Sequence, residues 1–361
     1  MNKKNWVKAL ALLPVLLYMM FINYSIDPAN IYHDASKEIA NSLLGGQAAS
    51  FGTGNGNERE VKRNLIIGMP DEVDCVAMGP SLVLGVRSDM VGTSSYYNLG
   101  ESSADFYDIL AQFGLMQVYG KSARRVIFCV DSFFFDEALN RTFTHNEALK
   151  PYAQYMIDTL DGKTAAAPEI DRAETNKTKF EQLFSVSYYQ ASLEQMRTDG
   201  WCSMAGRRWI KVTEDYQGAY YCADGSWVYA QSYQNNDVDF VLDQAQDCNI
   251  RISRDGHISE YQCAYFEKLM QYLISQNVEV DLFLCPLSPA LYDRVMKERE
   301  HYPILEELES YAHGIAEKYD LKITGSYNPH ILGIKSEDFY DSRHVRHERL
   351  EKYFDFKAKE Q

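Results

Sequence analysis

Five short apolar runs, set between segments of helical periodicity, constrain this chain more than any other feature of its sequence. Residues 73–78 (VDCVAM), 95–99 (SYYNL), 125–130 (RVIFCV), 278–285 (VEVDLFLC) and 321–324 (LKIT) carry β-branched or aromatic side chains. Each is too short for a buried helix and predicts a strand. Residues 103–119, 258–276 and 303–319 place apolar side chains at helical spacing. Alternation of this kind is produced by parallel strands joined by crossover helices. The expected fold is therefore α/β, a three-layer sandwich around a five-stranded parallel sheet. With 46% hydrophobic and 24% charged residues over 361 positions, the chain can bury an ordinary globular core. Its net charge of -15 offers no basic footprint for a phosphate backbone, which excludes nucleic acid as an expected partner.

The rhythm breaks once, after the third strand. Residues 138–257 read as a large insertion that carries Trp201, Trp209, Trp227 and many of the 26 tyrosines. Loops beyond the carboxyl ends of parallel strands are where open α/β sheets bind ligands. Aromatic faces there suit stacking on sugar rings, although packing of the insertion's own small core is the plainer reading for any single ring. Asn140-Arg-Thr142 and Asn176-Lys-Thr178 match the glycosylation pattern and matter only in a host that modifies it.

Upstream of the sheet, Lys3, Lys4 and Lys8 precede 18 uncharged residues that end at Asp27. That length just spans a bilayer, and no small-x-small cleavage site follows the run. Residues 1–27 therefore predict an N-terminal transmembrane helix whose lysines stay cytoplasmic and which exports the rest of the chain. Residues 28–62, with the Gly- and Ser-rich stretch LLGGQAASFGTGNGN at 43–57, read as a linker, and 63–361 as the folded domain.

Seven cysteines divide into two groups. Cys75, Cys129 and Cys285 sit in or at the end of strand-like runs and are expected as core thiols. Cys202, Cys222, Cys248 and Cys263 cluster in the insertion, which in an oxidising compartment favours two disulfides of undetermined connectivity. The spacing of a zinc site is missing, so neither metal nor cofactor is expected.

Two short segments carry chemistry. Met78-Gly79-Pro80-Ser81 follows the first strand directly, and a serine there is lifted to the carboxyl edge of the sheet as a nucleophile must be. A plain helix start with Ser81 as N-cap is the competing reading. The second segment, Asp338-Phe339-Tyr340-Asp341-Ser342-Arg343-His344, precedes a helical stretch at 345–356. An imidazole needs a carboxylate to fix its tautomer and stabilise its charged form, and Asp341 can supply one to His344 locally. Here the alternative is an Asp N-cap beside a solvated histidine. His347 lies one residue out of that spacing and is expected at the surface.

A serine just after strand one, with Asp-x-x-His before the last helix, resembles the SGNH (GDSL-like) hydrolase superfamily over about residues 70–356. The resemblance implies a flavodoxin-like sandwich and a catalytic triad of Ser81, Asp341 and His344. The family's first block corresponds to Gly79-Pro80-Ser81. Its second resembles Asn98-Leu99-Gly100-Glu101-Ser102-Ser103, which implies oxyanion donors from the N–H groups of Ser81 and of Gly100 or Ser103. Its third block departs: where many members have Gly-x-Asn, this chain has Cys129-Val130-Asp131-Ser132-Phe133. An ionised carboxylate cannot donate, and losing one oxyanion donor costs roughly 10²–10³ in rate. Asp131 is accordingly expected as an acceptor for loop N–H groups, with Ser132 or backbone standing in as donor.

Within the superfamily, Asn23-Tyr24-Ser25-Ile26-Asp27-Pro28 resembles the Asn-Tyr-x-x-Asp-Pro motif of membrane-anchored bacterial envelope proteins. These are the DltD proteins of teichoic-acid D-alanylation and the accessory proteins of alginate and cellulose O-acetylation. Cys285-Pro286-Leu287-Ser288-Pro289 is similar to their Pro-rich turn. The resemblance implies an extracytoplasmic esterase or O-acyltransferase acting on a cell-envelope glycan, beside a membrane-bound O-acyltransferase partner. The alternative is a catalytically weak or inactive SGNH-fold protein that binds glycan or serves such a partner.

Overall fold

The runs at 73–78 and 125–130 become strands because they are apolar on both faces, the signature of a sheet covered on two sides. The computed structural model describes residues 3–29, 31–52, 56–136, 148–168, 179–199, 209–246 and 252–358. Ahead of the main sheet lie helices α1 (Lys3–Ile26), α2 (Ser36–Leu44) and α3 (Glu58–Gly68), with a short strand β1 (Ala49–Phe51) between the last two. The main sheet takes β2 (Glu72–Met78), β3 (Tyr96–Asn98) and β4 (Ser122–Val130). Strands β5 (Trp209–Lys211), β6 (Tyr220–Tyr221) and β7 (Trp227–Val228) belong to the insertion. Finally β8 (Glu279–Leu284) and β9 (Lys322–Gly325) complete the main sheet.

That sheet has the order β3-β2-β4-β8-β9, and every pairing in it is parallel. All five expected strands are present. Counted along the main sheet this is the 2-1-3-4-5 order of flavodoxin-like doubly wound folds, whose switch point falls between the first and third strands, here β2 and β4. The expected helices form at Phe106–Val118, Glu260–Ser275 and Pro303–Tyr319. They bury Ile109, Phe266, Leu269, Leu308 and Ile315 against the sheet. Arg125 on β4 and Asp281 on β8 form a buried ion pair inside the sheet. Arg125 Nη2 also donates to the carbonyls of Phe356 and Lys357 at 2.8 and 3.1 Å, which ties the C-terminal tail under the β-strands.

Residues 28–62 are not a linker. Ile39, Ala40, Leu43, Ala49 and Val61 are buried in the main core. Strand β1 sits inside a second, antiparallel sheet of order β5-β1-β6-β7, so the N-terminal segment and the insertion fold together. Three residues, Ala-Ser-Phe, between two glycine-rich stretches carry no readable period, and their partners lie about 160 residues downstream.

The anchor expectation also needs correction at its C-terminal end. Residues 3–26 are helical, but among the described residues no helix is long and apolar enough to cross a membrane. Ile22, Asn23, Ile26 and Asp27 are fully buried, because this end of α1 packs on the helix Val186–Asp199 of the insertion. The Asn23 amide nitrogen faces the carbonyls of Gln182, Leu183 and Ser185 at 3.0–3.1 Å. Asp27 accepts from the N–H groups of Ile31, Tyr32 and His33 and from the Tyr188 hydroxyl. The Asn-Tyr-x-x-Asp-Pro motif is thus a clamp between α1 and the insertion. Farther toward the N-terminus, Leu12, Val15, Leu17 and Phe21 are each more than half exposed.

Cys75, Cys129 and Cys285 are buried free thiols, as expected of core residues. Cys222 and Cys263 are not bonded to each other. Cys202 and Cys248 lie outside the described residues, as do Trp201, Asn140 and Asn176.

Candidate active site

Strand β2 ends at Met78, and the chain turns sharply through Gly79, whose φ of +149° is open to glycine alone. A Cβ at Gly79 would stand 2.6 Å from the Cβ of Cys129 on β4, so the turn also needs the close approach. Pro80 is extended, and Ser81 opens a single 3₁₀ turn, Ser81–Val83, that lifts its hydroxyl over the carboxyl edge of the sheet at the β2/β4 switch point. Leu82 and Val83 are buried and hold this turn down.

The Asp-x-x-His segment arrives from β9 at the same edge. Ser81 Oγ lies 2.8 Å from His344 Nε2, and His344 Nδ1 lies 2.8 Å from Asp341 Oδ2. The three residues singled out from the sequence, 263 positions apart at the extremes, form one continuous hydrogen-bonded chain. Asp341 Oδ1 accepts from the backbone N–H groups of Arg343 and His344, both at 2.7 Å. Its Oδ2 also accepts from the Tyr233 hydroxyl. Burial alone would raise the Asp341 carboxyl, but the charge and hydrogen bond of His344, with the bonds from Tyr233 and Arg343, outweigh it and hold the group well below the usual carboxylate range.

Asp131 caps the short helix Ser132–Phe135 by accepting from Phe133 N–H at 2.8 Å, the acceptor role expected of it. Its other oxygen pairs with Arg343 Nη2 at 2.5 Å, and both side chains are at least nine-tenths buried. Arg343 lies between Asp341 and His344 in sequence, so this ion pair fastens the Asp-x-x-His loop to the end of β4. The Pro-rich turn after β8 does the same from the other side. Ser288 N–H donates to the Ser342 carbonyl at 3.0 Å and Leu287 N–H to Tyr327 at 3.2 Å.

The second block serves a different purpose from the one the resemblance implies. Asn98 Nδ2 donates to the carbonyls of Val83 and Val86 at 2.8 and 2.9 Å, bracing the loop that follows Ser81. Its Oδ1 accepts from Gly100 N–H at 2.9 Å, so that N–H is already engaged and Gly100 is not an open oxyanion donor. Ser103 takes a left-handed φ of +53°, and its carbonyl accepts from Arg59 at 3.3 Å, which sets it in the Arg59–Asp108 ion pair.

Glu101, next in sequence to Gly100, is 1% exposed. Burial, reinforced by the neighbouring Asp108, pushes its carboxyl up to about 8 despite Arg59 at 3.7 Å. The folded chain therefore keeps a proton that the unfolded chain releases, and the stability this confers is present below the ordinary glutamate range and lost as pH rises toward 8. The thermal midpoint is expected to decline over that interval. Glu101→Gln should make the decline shallower in pH-dependent unfolding scans, whereas an unchanged slope would contradict the assignment.

Four residues at the site were missed in the sequence or misread. Tyr229 stands edge-on to His344 with ring centroids 5.8 Å apart, and Tyr233 and Tyr340 pack on Tyr229 at 4.9 and 5.3 Å. His347, expected at the surface, is 7% exposed among Tyr229, Tyr340 and Gly85. Burial, with Arg87 and His344 nearby, lowers it to about 4, so it sits neutral beneath the triad. By contrast Trp209 and Trp227 pack against the main core, neither open for stacking on a sugar nor confined to a small core of the insertion's own. For Tyr229 and Tyr233 the richness of the insertion in tyrosine was the only signal, and it names no position. Among the described residues no group of three or more His, Cys, Asp or Glu side chains is arranged to hold a metal ion. Compared with known proteins, the chain matches no family model and no curated protein.

Proposed function

We propose that the chain is a serine esterase or O-acyltransferase working through Ser81, His344 and Asp341. The observation that carries this reading is the Ser81–His344–Asp341 hydrogen-bond chain, with both links at 2.8 Å, at the switch point of a doubly wound sheet. His344 Nε2 takes the Ser81 proton as Oγ attacks an ester or thioester carbonyl, and the carbonyl π electrons move to oxygen as the new C–O bond forms. Collapse of that oxyanion expels the alcohol or thiol, which recovers the proton from His344. The acyl-enzyme then passes its acyl group to water or to a sugar hydroxyl, with His344 deprotonating the acceptor. Asp341 stays ionised throughout and stabilises the imidazolium.

Similarity to the SGNH superfamily and its envelope branch suggests a cell-envelope polysaccharide as the substrate, a membrane-bound O-acyltransferase as the partner, and an extracytoplasmic location. The exposed apolar positions of α1 between Leu12 and Phe21 support an anchoring or membrane-contacting role for that helix. A second reading, a non-catalytic glycan-binding or accessory protein, is favoured by one observation. Asp131 and Gly100, which occupy two oxyanion-block positions, are spent on Arg343 and Asn98.

Incubation of the full chain with p-nitrophenyl acetate, with and without a de-acetylated envelope glycan, separates these outcomes. The proposal predicts nitrophenol release and an acetylated Ser81 peptide, with acetyl appearing on the glycan if transfer is the reaction. Glycan retention on the protein without any nitrophenol release would favour the binding reading.

A further inference from the structure

Among the described residues of the insertion, the segment 229–236 reaches into the site. Arg346, which follows the Asp-x-x-His loop, donates to the carbonyls of Gln234 and Asn236 at 2.7 and 2.6 Å. Gln234 Nε2 turns back to the Tyr229 carbonyl at 2.6 Å, and Asn236 Nδ2 reaches the Tyr340 carbonyl at 3.3 Å. The segment is thereby held to the triad loop at three points, and it presents the Tyr233 hydroxyl to the same Asp341 oxygen that receives His344 Nδ1–H.

Resting on the triad reading above, we propose that residues 229–236 form a strap that completes the active site, with Tyr233 as a positioning residue. Tyr233 holds the Asp341 carboxylate in line with the imidazole and draws charge from it. The strap belongs to the insertion rather than to the main sheet, so access to the triad and its working pH are set by a part of the chain that the parallel-sheet fold does not supply. The groups facing this pair are His344, Arg343 and Tyr340 of the loop, His347 at the start of the following helix, Tyr229 of the strap, and Arg346 over the Tyr340 ring at 4.9 Å.

A carboxylate relieved of one donor attracts the shared proton more strongly. In Tyr233→Phe, the acid limb of kcat/KM is therefore expected to move upward by roughly one pH unit, the order expected for a hydrogen bond to a charged group. The titration of the His344 ring followed by NMR on histidine-labelled full-length chain should move in the same direction. Phenylalanine keeps the ring contacts with Tyr229 and Tyr340, so a purely packing role for Tyr233 predicts neither shift. Arg346→Met releases the strap while leaving Tyr233 in the sequence, and it is expected to reproduce the shift. Coincident profiles for wild type and both variants would overturn the proposal. If the variants show the NMR shift relative to a wild-type chain that itself turns over no ester, the strap stands and the catalytic reading fails.

Discussion

Ser81→Ala is expected to lower ester turnover by roughly 10⁴- to 10⁶-fold, and His344→Ala by a similar factor, because members of a triad act as one unit and removing either ends nucleophilic catalysis. Neither change should unfold the chain. Ser81 is half-buried and its hydroxyl meets His344 alone among the described hydrogen bonds, so the expected loss of stability is about 1 kcal/mol or less. Steady-state assays on both variants, with circular dichroism as a folding control, check the pair. Full activity in either folded variant would remove that residue from the mechanism.

Arg343→Met is expected to cost about 3–5 kcal/mol of folding stability, since it leaves the Asp131 carboxylate buried without its cation. Exposure of only 3% for Asp131 and 8% for Arg343 leaves little solvent to compensate. The loss should extend to activity, because Arg343 fixes the loop that carries both Asp341 and His344. Asp131→Asn combined with Arg343→Met should recover most of the stability in urea unfolding, as both charges are then gone and the amide oxygen still caps Phe133 N–H. Equal instability of the single and double variants would show that shape rather than charge holds the loop.

How far the sequence revealed this arrangement depended on the range of the interactions. The five strands were legible because a parallel strand buried on both faces writes its own signature in a few consecutive residues, as RVIFCV does in β4. Ser81 and His344 were legible because each is tied to a local pattern, a glycine turn after a strand and an Asp three residues before a His. Strand β1 was not, since three residues acquire strand character only by pairing with β5 and β6, and the glycines around it read as a linker. The corrections at Gly100 and His347 have a common cause. Spacing along the chain says nothing about whether Asn98 will fold back onto Gly100 N–H, or whether a helix will turn His347 toward Gly85. Tyr233 reaches Asp341 across 108 residues, from the short helix Gln231–Gln234 of the insertion, and no composition argument singles it out among 26 tyrosines. Arg343 lies inside the Asp-x-x-His motif, yet its partner Asp131 reads in the sequence as a missing donor rather than as a countercharge.

Mass-spectrometric mapping of a fluorophosphonate probe on the purified protein, with His344→Ala alongside, tests the central claim most directly. The account predicts covalent labelling at Ser81 that disappears in the His344→Ala protein. A folded wild-type chain that takes no label at Ser81, or one that labels equally in the absence of His344, would contradict it.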